Sequence, residues 1–148
     1  MKKRLLFLFS ASLIVLFVIT SCNGFNSMKD GYYTAETSEY SHGWKEYLRI
    51  QVKNDTIVSA EFNAKNKSGF IKAWDNTYMK NMVTEQGTYP NKYTREYVQQ
   101  ILEEQEDIQV DIVSGASHSG NNFVKLAEAV LECARNGNSE TVVIEENN

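Results

Sequence analysis

Two short segments of period-two patterning, joined by a two-residue turn, place the strongest limit on how this chain can fold. Leu48, Ile50 and Val52 alternate with Tyr47, Arg49 and Gln51, and Val58, Ala60, Phe62 and Ala64 alternate with Ser59, Glu61 and Asn63. Side chains alternate between the faces of a strand, so each segment offers one apolar face to a core. Asn54 and Asp55 stand between them, and both residue types tolerate the left-handed backbone of a tight hairpin turn. A hairpin is therefore expected. Residues 31–37 (GYYTAET) add a strand rich in aromatic and β-branched types.

Beyond the hairpin the period changes. Trp74, Tyr78, Met79 and Met82 recur at helical spacing, and Gly87 with Pro90 ends that element. Tyr93, Tyr97, Val98, Ile101 and Leu102 form a second stripe, with Glu103, Glu104 and Glu106 in solvent. Residues 108–113 (IQVDIV) read as a short strand. After Ser114-Gly115-Ala116-Ser117 a third helix carries Phe123, Leu126, Ala127, Val130, Leu131 and Ala134, and Asn136-Gly137 stops it. Residues 140–145 (ETVVIE) give a final edge strand. The order βββ, αα, β, α, β implies an α+β fold: a mostly antiparallel sheet with about three helices in a single compact domain.

The N-terminus is of another kind. Lys2, Lys3 and Arg4 precede residues 5–19 (LLFLFSASLIVLFVI), an apolar run that suits a signal peptide and is short for a membrane span. Ile19-Thr20-Ser21-Cys22 follows, and resembles the lipobox of bacterial lipoproteins. That resemblance implies cleavage after Ser21 and a lipidated Cys22, with enough acyl chains for stable anchoring in a membrane. The expected organisation is a signal peptide at 1–21, a lipidated tether at 22–30 and a domain at 31–146. Residues 23–30 span at most about 26–29 Å when extended.

Charge and cysteine content exclude several functions. Without Lys2, Lys3 and Arg4 the balance moves from 15 basic against 19 acidic to 12 against 19, a net −7. Such a surface argues against nucleic acid as a partner and against adhesion to anionic headgroups. With Cys22 acylated, only Cys133 remains, so no disulfide can form within the mature chain. Cys133 reads as a packed helix residue, and His42 and His118 are too few and too far apart for a zinc site.

The chemistry-bearing stretch is Asp111-Ile112-Val113-Ser114-Gly115-Ala116-Ser117, between an expected strand and an expected helix. Gly115 and Ala116 keep bulk away from the turn, so a large group can approach the backbone. The following helix offers unpaired N–H groups at its first turn, a ready phosphate site. Ser117 puts a hydroxyl at the same place. Simple helix capping, with Ser114 or Ser117 as N-cap and Gly115 as turn residue, also fits these residues.

Asp-x-x-Ser-Gly-Ala-Ser before a helix resembles the flavinylation motif of the FMN-binding domain family. Asp30-Gly31-Tyr32-Tyr33-Thr34-Ala35, the run Gly69…Lys72…Asp75…Tyr78…Met82, and Gly87…Pro90 extend the likeness over most of residues 30–136. The family includes flavin subunits of sodium-pumping NADH:quinone oxidoreductases and Rnf-type complexes, together with many small lipoproteins. The resemblance implies FMN joined to Ser117 by a phosphoester, made by a flavin transferase. Thr is the commoner residue at that position. Asp111, Ser114, Gly115 and Ala116 would shape the attachment turn, with Asp111 bonded to turn backbone or read by the transferase. Trp74, Tyr78, Met79 and Met82 are candidates for the wall beside the flavin ring, although a Met and aromatic stripe at helical spacing is more often core. Lys72 is expected in solvent, and His118 as an exposed first-turn residue. The function implied is electron transfer from a membrane-bound donor, as a carrier more than as a stand-alone enzyme. The alternatives are a non-covalent FMN-binding or cofactor-free surface module, and a flavin-dependent reductase component.

Overall fold

The computed structural model describes residues 27–145. The expected signal peptide, Cys22 and the first part of the expected tether lie outside the described residues. Strands β1 (Gly31–Thr37), β2 (Lys45–Val52) and β3 (Ile57–Lys65) come first. A single 3-10 turn (Lys72–Trp74) leads into helices α1 (Asn76–Gln86), α2 (Pro90–Glu104) and α3 (Ser117–Asn136), and β4 (Val142–Ile144) closes the order. The sheet runs β3-β2-β1-β4. Its first three strands are antiparallel, and β4 lies parallel to β1 at the edge. The fold is α+β with a mostly antiparallel sheet.

The β2–β3 hairpin turns on Asn54 and Asp55, both at positive φ (51° and 59°). Lys53 and Thr56 exchange two backbone hydrogen bonds across it, at 2.9 and 3.2 Å. Two left-handed residues give the turn the twist that antiparallel strands need. Tyr33, Ala35, Leu48, Ile50, Val52, Phe62 and Ala64 face inward and are buried. The expected pattern slips near the turn. A register irregularity at Gln51/Val52 pairs Val52 with Ile57, so Ile57 enters the core and Val58 is exposed.

Helices α2 and α3 cover the inward face, α2 against β3 and α3 against β1 and β2. Phe123 of α3 sits edge-on to Phe62 at 5.0 Å and stacks on Tyr97 of α2 at 5.1 Å. Every member of the expected α3 stripe is buried, and Gly137, at φ 71°, ends the helix in the left-handed conformation. In α2, Tyr93, Tyr97 and Ile101 are buried while Val98 and Leu102 pack at the margin. Met28 is also buried, and the backbone N–H of Lys29 donates to Ala134 O at 2.9 Å. Packing against the domain thus begins ahead of β1.

Two expected elements differ. Residues 108–113 form no strand. Their polar backbone is met from α2 instead: the Gln100 amide brackets Asp111 through its N–H (2.7 Å) and C=O (3.1 Å), and the Tyr97 hydroxyl accepts from Val113 N–H at 3.0 Å. The first helix starts later than its stripe suggested. Asp75 is its N-cap, accepting from Tyr78 N–H at 2.9 Å, so Trp74 falls outside the helix, 67% exposed. No residue of α1 is fully buried.

Candidate functional site

The loop before α3 is pinned at close quarters. Gly115 has φ +79°, and a Cβ there would lie 2.3 Å from Gln86 O at the end of α1. Only glycine satisfies both the left-handed backbone and that approach. The Tyr97 hydroxyl donates to Ala116 O at 3.3 Å while accepting from Val113, so one phenol holds both ends of the turn. Gly120 then lets α3 pass that hydroxyl, since a Cβ there would sit 2.4 Å from it.

Ala116 is the N-cap of α3 and supplies no capping side chain. Neither Ser114 nor Ser117 caps the helix. Ser117 is its first residue, and its side chain is exposed. The first-turn N–H groups, those of Ser117, His118 and Ser119, have no acceptor within the helix and carry the positive end of its dipole.

These residues line a cavity of about 500 Å³, bounded also by the β1–β2 loop, the 3-10 turn and α1. That volume falls in the range of small-molecule sites, roughly 300–1,000 Å³. Its aromatic wall is Trp44 against Tyr78, edge-on at 5.9 Å, with Met82 beside them. Gly115, Ala116, Ser117, Tyr78 and Met82 of the sequence-derived set meet here, whereas Trp74, Ser114 and Asp111 do not line the cavity. The Asp111 side chain is exposed, and its turn contacts run through its backbone.

The floor is polar. Glu46 is only 5% exposed. Its Oε1 accepts from Ser119 Oγ at 2.5 Å and its Oε2 from Asn122 Nδ2 at 2.8 Å, so the buried carboxylate is held by α3. Lys72 is 9% exposed rather than solvated, with Nζ 4.8 Å from the Tyr78 ring centroid. Burial by itself lowers the Lys72 pKa, but electrostatic interaction with Tyr93, Glu46 and Tyr78, together with a hydrogen bond to Tyr78, outweighs it and holds the value above the ordinary lysine range. The ammonium is therefore charged at neutral pH. Burial likewise raises the Tyr93 pKa, keeping that phenol protonated beside Lys72 and Ser119.

Trp44, Glu46 and Asn122 were not singled out by sequence reasoning, and Tyr93 was read only as part of a helix stripe. One signal was present: Glu46 continues the inward register of Leu48, Ile50 and Val52. An acid at a core-facing strand position needs a buried partner. Cys133 is a buried free thiol whose pKa is raised by burial and by nearby Glu132, the opposite of an activated nucleophile.

No family model matches the chain. It is 30% identical over 131 residues to the "15 kDa lipoprotein" of Treponema pallidum (strain Nichols), covering 88% of this chain and 93% of that protein. The chain belongs to that lipoprotein's family. The CPE2226 protein of Clostridium perfringens, a solved crystal structure, is 35% identical and superposes with a TM-score of 0.76, covering 81% of this chain and 99% of the other. A solution structure from Clostridium thermocellum is 30% identical over 72% of this chain and 92% of its own, with a TM-score of 0.45. Membership of a small-lipoprotein family agrees with the Ile19–Cys22 lipobox. Among the described residues no helix is long and apolar enough to cross a membrane.

Proposed function

We propose that this member of the lipoprotein family is a lipid-anchored extracytoplasmic flavoprotein, carrying FMN as a phosphoester of Ser117 and passing electrons. The observation that carries the reading is the position of Ser117. Its hydroxyl is exposed on the first residue of an α-helix without a side-chain cap, at a cavity with an aromatic wall. A phosphate on that oxygen gains first-turn N–H donors and a favourable helix dipole, about 0.3–1 kcal/mol at an exposed site.

The remaining residues fit such a group. Gly115 brings the loop close without a side chain. Both oxygens of Glu46 are taken by Ser119 and Asn122, and Lys72 sets a buried positive charge in the same cavity. Repulsion of a phosphate is thereby reduced. Trp44, Tyr78 and Met82 offer an apolar, polarisable surface against which a ring system can pack. Bound FMN supplies reversible electron uptake and release. The protein's part is to hold it at a fixed place, through Ser117, the loop pinned by Tyr97, and the buried Glu46–Ser119 contact. Attachment calls for a flavin transferase, and function for an electron donor associated with the membrane.

Expression with a flavin transferase, followed by denaturation and intact-mass measurement, tests the reading. A flavin-sized increase lost in Ser117→Ala supports it, and an unmodified wild-type chain overturns it. Flavin that co-purifies and is released on denaturation would mark non-covalent binding instead.

A further inference from the structure

The chain enters the folded domain at one end, and the cavity lies at the other. Met28 N–H donates to Asp55 Oδ1 at 2.7 Å, in the β2–β3 turn. Lys29 donates through its backbone N–H to Ala134 O (2.9 Å) and through Nζ to Asn136 O (3.0 Å), at the last turn of α3. The cavity lies against Ser117 and Ser119, in the first turn of the same helix. Twenty residues separate those ends inclusively, a length of about 30 Å at 1.5 Å per residue. The strands agree: β1 runs away from the entry point toward the Ser41–Trp44 loop that borders the cavity, and β2 returns.

We infer that the cavity is held at the membrane-distal end of the anchored protein, so that a partner, including the water-exposed part of a membrane-associated electron donor, reaches it through the aqueous phase and not from within the bilayer that holds the lipid of Cys22. The inference rests on lipidation of Cys22 and is independent of which cofactor the cavity takes. Six residue steps separate Cys22 from Met28, at most about 20–22 Å fully extended. To press the cavity end onto the bilayer, the tether would have to run back along about 30 Å of helix. It is too short. A side-on posture would lay a chain of net charge −7 against the headgroups, which anionic lipids oppose.

The distal end also carries exposed aromatic surface. Trp74 follows Lys72 on the 3-10 turn and meets Phe70 edge-on at 6.4 Å. Tyr40, beneath Lys67 at 5.7 Å, is exposed on the β1–β2 loop.

Trp74 supplies a reporter for the test. The full lipidated chain is placed in neutral phosphatidylcholine vesicles whose acyl chains are brominated, and the Trp74 signal is taken as the difference between wild type and Trp74→Phe. A bimane on Lys53→Cys, beside the entry point, reports the other end. The expected result is no loss of Trp74 emission to bromolipid, ready quenching of Trp74 by iodide in the water, and bromolipid quenching of the bimane stronger than that of Trp74. Bromolipid quenching of Trp74 equal to or greater than that of the bimane would overturn the inference.

Discussion

Ser119 donates its hydroxyl to the buried carboxylate of Glu46 across 2.5 Å, joining the first turn of α3 to the start of β2. With Asn122 on the other carboxylate oxygen, this contact fixes the floor of the cavity. Hydrogen bonds to a buried charge are worth about 1.5–3 kcal/mol. Ser119→Ala should lower unfolding stability by about that amount, read as a fall in the urea midpoint at unchanged slope. A loss below about 0.5 kcal/mol would mean that water or Asn122 already satisfies Glu46.

Gly115→Ala should be costly for its size. A non-glycine residue at φ +79° carries about 1–3 kcal/mol of backbone strain, and the new Cβ would meet Gln86 O at 2.3 Å. The outcome expected is a destabilised chain with normal far-UV circular dichroism and reduced modification at Ser117. Full stability and full modification would show that the loop can move away from α1.

Tyr97→Phe separates ring from hydroxyl. The ring keeps its stack on Phe123, while Val113 N–H loses its acceptor and Ala116 O its donor. Stability should fall by about 1–2 kcal/mol, and amide exchange at Val113 should accelerate more than exchange in the middle of α3. Uniform acceleration would instead point to general loosening of the core.

Glu36 should give the domain an acid-sensitive term. Burial alone raises its pKa, but hydrogen bonds from Lys45 (2.7 Å) and Lys65 (2.8 Å) outweigh it and hold the carboxyl below its ordinary value. A depressed folded-state pKa stabilises above the unfolded value of roughly 4.3, and the gain is lost as pH falls through the folded value. The stability difference between wild type and Glu36→Gln should therefore be full above about pH 5 and shrink as the solution is acidified further. A difference independent of pH would assign the loss to packing.

What could be read from the sequence followed periodicity. β1, the Asn54-Asp55 turn and the α3 stripe are each specified by residues close together in the chain, and each formed as expected. The strand at 108–113 did not form because a strand needs a partner. Its backbone lies where the Gln100 amide and the Tyr97 hydroxyl reach it, and β4 takes the sheet edge beside β1. Trp74 left the helix because Asp75 is a better N-cap than any residue before the stripe. The cavity loop was legible at Gly115, Ala116 and Ser117. The floor was not, because Glu46 and Ser119 are 73 residues apart and meet only through the packing of α3 on β2. Lys72 looks like any surface lysine until the 3-10 turn places it over Tyr78.

The central claim is that Ser117 carries a flavin, and intact mass tests it most directly. The mature chain made with a flavin transferase should be heavier by one FMN phosphoester after denaturation, and Ser117→Ala should return to the unmodified mass with its far-UV spectrum unchanged. A wild-type chain of unmodified mass, or an adduct that persists in Ser117→Ala, would contradict the assignment.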